Sequence, residues 1–298
     1  MRYIIASSLS MLLPFAAMAE VPRVVVDMPP VYGLVAQVMG DLGKPVVLLD
    51  KGAGAHSFQL RPSQMGDIAS ADIVVWIGPE MTPWLERIMD GAPAQATALT
   101  LLNVAGTQKL DFGAQVQNDD HDHDHGGIDP HAWLNPENAA PWLDAIAAAL
   151  AQHDPANAAT YNANAHAAKT EIAALDNALA AQLTPIKDKG FVTYHDAYGY
   201  FADHYGLAYK GAVALGDATS AGASHLRKIQ EQIAQDVVCV FPEVQHDAAL
   251  LLQLIDGTKA KAGAPLDPEG TMLIPSPESY ADVLRQMATA ISDCLGGA

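Results

Sequence analysis

Four residues of metal-binding type stand just beyond short apolar runs of this chain. They are His56 in KGAGAHSF, His131 in DPHAWLNP, His195 at the end of FVTYH, and Asp267 after KAGAPL. Three neutral imidazoles and one carboxylate would fill the tetrahedral shell of a borderline cation such as Zn²⁺. A single histidine at such a place is ordinarily structural; four ligand types at four such ends, two from each half of the chain, make a stronger case. A second group is of another kind. His121, His123 and His125 alternate with aspartates between Asp119 and Gly126. A spacing of two cannot share one helix face, and so charged a run holds nothing apolar to bury, so it reads as a mobile collector of metal. The alternative is a solvated acidic loop.

The elements that must position these residues alternate regularly. Arg23–Met28, Pro45–Asp50, Ile73–Gly78 and Leu99–Val104 read as strands, the first three as runs buried on both faces. Val31–Met39 and Pro62–Ala69 between them read as helices, and Pro141–Gln152 as an Ala-rich helix closing the half. Asp154 then offers an N-cap with Pro155 at the first helical position. Tyr161, Ala165, Ala168, Ile172, Leu175, Leu179 and Leu183 follow at steps of three and four until Pro185. At 1.5 Å per residue this helix is a rod of roughly 43 Å, a strut instead of a flexible linker. The second half repeats the alternation. Phe191–His195, Leu207–Leu215, Val237–Phe241 and Lys259–Leu266 are its strands; Ser224–Gln235 and Ser279–Cys294 are its helices. The fold class is α/β: two lobes, each with a mainly parallel sheet, joined by one long rigid helix. Open sheets of this kind bind ligands at the carboxyl ends of their strands, here the cleft between lobes.

The first nineteen residues have the form of a secretory signal: Arg2, the apolar stretch Ile4–Phe15, and an A-x-A site at Ala17-Met18-Ala19. The apolar stretch is shorter than the ~20 residues a membrane span needs. The expected organisation is therefore a signal peptide at 1–19, an N-terminal lobe at 20–152 carrying the loop 119–126, a linking helix at 153–185 and a C-terminal lobe at 186–298. A formal charge of −18 argues against a nucleic-acid partner, whose phosphates it would repel. In an exported chain, the default for Cys239 and Cys294 is a disulfide, with two buried thiols as the alternative.

These motifs together resemble the zinc-binding solute-binding proteins of bacterial ABC importers, the high-affinity zinc-uptake type. The resemblance runs through HSFQLRPSQ at His56, the His-Asp loop, DPHAWLNP at His131, YHDAYGYF at His195, VCVFPEVQHD, LDPEG at Asp267 and the late Cys294. It implies a periplasmic receptor with two α/β lobes joined by one long helix that hands Zn²⁺ to a membrane permease; a monomer is expected. It also implies ligation by His56, His131 and His195 with Asp267 or a water completing the shell, and the disulfide. Manganese-type relatives tend to carry a carboxylate in place of the third histidine, so His195 favours zinc. Ala55 departs from the pattern, standing where some relatives have a glutamate near the metal.

Other residues receive plainer readings. Asp129 and Asp196 flank ligands and could orient an imidazole through its free N–H. Glu243 is a reserve ligand or an ion-pair partner; Glu80 lines the cleft or is solvated. His153, His166, His204, His225 and His246 are taken as packing or surface residues, and Trp76, Trp84, Trp133 and Trp142 as core or lobe-surface aromatics. The rival functions are a manganese-type receptor, a periplasmic zinc buffer or chaperone, and a zinc hydrolase. The last would show an open coordination position with a nearby base, and no HExxH motif is present.

Overall fold

The computed structural model describes residues 20–91, 96–112, 127–214 and 222–297. Residues 1–19, expected to be an export signal, and the stretch with His121, His123 and His125 lie outside the described residues.

The first sheet is built from β1 (Val24–Val26), β2 (Val46–Val47), β3 (Ile73–Trp76) and β4 (Thr97–Thr100), in the order β2-β1-β3-β4 with every pairing parallel. Parallel neighbours need crossovers, supplied by α1 (Pro29–Met39), α2 (Pro62–Ala69) and α3 (Pro83–Gly91). α4 (Ala139–His153) leads into α5 (Ala158–Leu183). The second sheet comprises β5 (Gly190–His195), β6 (Tyr209–Ala214), β7 (Val237–Phe241) and β8 (Lys261–Ala262), again wholly parallel in the order β6-β5-β7-β8. Its helices are α6 (Gly199–Tyr205), α7 (Ala223–Asp236), α8 (Ala249–Ile255) and the terminal α9 (Ser279–Gly296).

The apolar runs VVV and IVVW are continuous because β1 and β3 are central strands buried on both faces. Side chains alternate between two cores with the period of two that a strand imposes. Val24, Val26, Ile73 and Val75 enter the main core, whereas Val25, Val74 and Trp76 enter a smaller one on the opposite face. The second sheet repeats this division, with Phe191, Cys239 and Phe241 on the main side and Val192 and Val240 on the other. The main core therefore belongs to both lobes and runs through α5 and α9 without interruption.

α5 buries the seven residues that the sequence periodicity selects, from Tyr161 to Leu183. Its start differs from expectation. Pro155–Asn157 form a 3-10 turn, and buried Asp154 accepts from Asn157 Nδ2 (2.6 Å) and the Tyr161 hydroxyl (2.9 Å) instead of capping the backbone. The fourth strand lies two residues earlier than the apolar run suggested, because Leu101–Asn103 turn into a 3-10 helix that drops Leu101 and Leu102 into the core. Only two residues of the weak eighth strand pair in β8, with Leu266 adding an isolated bridge to Glu243. α9 reaches back to the first lobe: Gln37 Nε2 donates to Pro277 O, and a Cβ at Gly33 would stand 2.6 Å from the Tyr280 amide nitrogen. Glycine is what lets α1 approach the start of α9 this closely. Cys239 and Cys294 form a disulfide that pins α9 to β7. Among the described residues, no helix is long and apolar enough to cross a membrane.

Candidate metal centre

The ends of both sheets bring three imidazoles to one point. His195 closes β5, His131 precedes a 3-10 turn at Ala132–Leu134, and His56 sits in another at Ala55–Ser57. The Nε2 atoms of His56 and His131 are 3.3 Å apart, and those of His195 and His131 3.4 Å apart. His131 and His195 are buried and His56 is partly exposed, so His56 faces the way out.

The far nitrogens of the two buried rings are held by carboxylates. Asp129 Oδ1 lies 2.6 Å from His131 Nδ1 and also accepts the His131 amide at 2.9 Å. Glu243 Oε2 lies 2.5 Å from His195 Nδ1, while its Oε1 accepts the Tyr198 hydroxyl at 2.9 Å. With Nδ1 engaged by a carboxylate in each ring, Nε2 is the nitrogen turned to the common centre. Burial pushes Asp129 up to about 7, partly offset by the His131 amide and the charge of His195. Tyr200 on α6 donates to the Asp129 carbonyl at 2.9 Å, so the second lobe also steadies this turn.

Asp129 has the orienting place expected of it, but Asp196 does not fill that place for His195. Its carboxylate accepts the Tyr209 hydroxyl at 2.9 Å, and Glu243 holds the His195 ring. Strand register explains the exchange. Thr193 pairs with Phe241 across β5 and β7, so residues two further along each chain, His195 at the end of β5 and Glu243 just beyond β7, come side by side. An equal offset from two neighbouring strands was the signal available in the sequence. Glu243 is thus buried and paired. Glu80 is exposed.

Asp267 stands apart from the three imidazoles. Its Oδ1 accepts from the Thr271 amide (2.9 Å), the Thr271 hydroxyl (3.3 Å) and Gln245 Nε2 (3.2 Å), and its Oδ2 from the Met272 amide (2.8 Å). Burial raises its pKa, and those bonds oppose the rise. The grouping of ligand atoms within 4.8 Å of one another contains His56, His131 and His195 without it. A second such grouping, His195, Glu243 and His246, includes a histidine that the sequence reading left as ordinary. His246 stacks on Tyr194 at 4.3 Å between ring centroids and lies 3.7 Å from the same Glu243 oxygen that holds His195. Of the other histidines, His153 meets Thr97, His204 meets Asp176 and His225 meets the Ala212 carbonyl, while His166 is exposed on α5. Of the tryptophans, all core residues, two also brace ligand turns. Trp84 Nε1 donates to Ala55 O at 2.6 Å, and Trp133 Nε1 to Pro268 O at 2.9 Å.

Two parallel-sheet lobes on a long helix, with a histidine cluster at the strand ends between them, define a two-lobed binding protein of the metal-receptor type. Residues 24–294 match the model of the zinc-uptake complex component A periplasmic family. The chain belongs to that family. It is 48% identical to the high-affinity zinc uptake system protein ZnuA of Paracoccus denitrificans, over 94% of each chain. A crystal structure of ZnuA superposes with a TM-score of 0.77 at 23% identity, covering 92% of this chain and 99% of that one. A solute-binding protein from Pseudomonas aeruginosa in complex with Mn²⁺, FpvC, reaches 0.78 at 21% identity, covering 93% and 98%. At these identities the likeness is one of fold, and fold alone does not separate zinc from manganese.

Proposed function

We propose that this chain is the periplasmic zinc receptor of an ABC importer, binding Zn²⁺ as cargo through His56, His131 and His195. The observation that carries this reading is the spacing of the His56 and His195 Nε2 atoms from that of His131. A tetrahedral ion with Zn–N bonds of about 2.0–2.1 Å sets its ligand nitrogens about 3.3–3.4 Å apart. The separations of 3.3 and 3.4 Å need no rearrangement to meet that demand. An all-imidazole set is also softer than the carboxylate-rich sets that suit manganese. The fourth position falls to Asp267 or to a water. For Asp267 to ligate, it must give up bonds that shape the 267–272 turn.

Periplasmic location follows from the family, and residues 1–19 supply the export signal, cleaved after Ala19. The receptor acts as a monomer and hands its cargo to a membrane permease; nucleic acid is no partner of so acidic a surface. Its role is to hold and pass on a cation, a reading supported by membership of a family of zinc-uptake components. The lobes divide at 152/153 and 185/186, following the two sheets. The loop with His121, His123 and His125 serves as a loose auxiliary collector.

Elemental analysis of protein purified without chelator, followed by Zn²⁺ and Mn²⁺ competition titrations, tests the reading. Zinc should copurify at one tight equivalent. His56→Ala, His131→Ala or His195→Ala should each weaken zinc by more than about 100-fold, beyond the loss expected for an outer partner. Asp267→Ala should cost less. A His195→Ala protein that binds zinc like the parent would overturn the assignment.

A further inference from the structure

His56 differs from the other two ligands in the backbone that carries it. His195 closes a central strand and His131 lies in a turn held by Asp129, whereas His56 lies on a 3-10 turn in the connection between β2 and α2. That turn is gripped from two directions. Within its own lobe, Trp84 on α3 donates to the Ala55 carbonyl. From the other lobe, buried Glu269 accepts the Ala55 amide through Oε2 at 2.9 Å, and the Thr271 carbonyl accepts the Gly52 amide at 3.0 Å.

The segment that delivers Glu269 is itself fixed. Pro268 O takes the Trp133 indole N–H, the Thr271 and Met272 amides close onto Asp267, and the Tyr280 hydroxyl donates to Trp133 O. Glycine at Gly270, with φ of +66°, permits the sharp turn that aims Glu269 at Ala55. A carboxylate taken out of water is costly unless hydrogen-bonded and charge-compensated. Glu269 accepts the Ala55 amide, and that bond ties its place to the turn that carries His56.

We propose that Glu269 is the positioning residue for His56, and that it works as a latch between the lobes. This inference rests on His56 being a metal ligand. Because the carboxylate belongs to one lobe and the ligand to the other, His56 keeps its place only while the 266–273 segment stays seated on the first lobe. Lifting that segment frees the most exposed ligand first and leaves two imidazoles, which hold Zn²⁺ far more weakly. The latch thereby offers a docking membrane protein a lever for unloading the site without opening the whole molecule.

The test measures Zn²⁺ dissociation into excess chelator by stopped flow. Glu269→Gln keeps an oxygen for the Ala55 amide and should stay within about threefold of the parent, whereas Glu269→Leu fills the space without an acceptor and should release zinc at least about tenfold faster. In a His56→Ala background the same Leu substitution should change release less than about twofold, because its effect passes through His56. Equal acceleration in both backgrounds, or none in the parent, overturns the proposal. Should the Leu variant fail to fold, amide exchange in the parent protein decides. The Ala55 N–H should be protected in the metal-free state, and exchange at the free-peptide rate overturns the latch. His56→Ala alone tests the ligand assignment, so that failure and failure of the latch are read separately.

Discussion

An imidazole holds a cation well only when its other nitrogen has been given a partner that fixes the tautomer and the ring plane. Asp129 and Glu243 do this for His131 and His195. Removing the charge while keeping the shape should therefore weaken binding without unfolding the protein. Asp129→Asn and Glu243→Gln are each expected to lower zinc affinity by about 10–100-fold in chelator competition. Asp196→Asn, whose partner is Tyr209, should stay within about threefold on the same scale. An Asp196→Asn loss exceeding that of Glu243→Gln would reverse the assignment. The contrast shows what could be read at this scale. The three histidines were legible because their type and their place beyond apolar runs are both local properties. Glu243 was legible as an ion-pair partner but not as the residue that holds His195, which depends on the β5–β7 register, and Glu269 was not legible, since its place depends on a turn of one lobe seated against the other.

Among the elements, long periodic segments were the most legible. α5 has seven positions whose spacing can mean only one buried stripe, and the structure buries all seven. The short helices α3, α6 and α8, of seven to nine residues, offer only about two turns each and were not legible, although α2, of eight residues, was. The fourth strand shifted because Leu101 and Leu102 satisfy the core from a 3-10 turn as well as from a strand. One further device ties strands together. Asp27, at the end of β1, is wholly buried and accepts the Ile77 amide just beyond β3 at 2.8 Å. Burial pushes its pKa from 3.8 up to about 7. Between those values the native state binds a proton that the unfolded chain has lost, so this group's contribution to stability falls as pH rises and is lowest above about 7. Asp27→Asn removes that dependence. Its stability relative to the parent should rise with pH between 4 and 7 by up to about 1.4 kcal/mol per unit, and level off above. Urea unfolding of the metal-free proteins from pH 4.5 to 8 measures the difference. Parallel stability profiles would show that Asp27 ionises normally.

At the scale of the whole molecule, the two lobes are poorly suited to large rotation. A receptor that closes widely on its ligand does so about a few flexible crossing segments. Here α5 is packed along its length, α9 from the second lobe lies against α1 of the first, and one apolar core passes through both helices. Opening the lobes by a wide angle would expose part of that core, at about 25 cal/mol for each Å² of apolar surface. The Nε2 atoms of His56 and His195 already stand 3.3 and 3.4 Å from that of His131, separations a tetrahedral ion requires, so binding has little closure to drive. Loading should instead act locally, on the His56 turn and the segment from 266 to 273. The radius of gyration, about 19 Å for a compact chain of this length, should differ by less than about 0.5 Å between metal-free and zinc-loaded protein in solution scattering. Amide exchange should meanwhile slow at Gly52–Ser57 and Gly270–Met272 and stay constant along α5. A contraction of 1 Å or more on loading (order-of-magnitude threshold, about the scale of a hinge closure) would mean that α5 and α9 slide or bend, and that release needs the lobes to part.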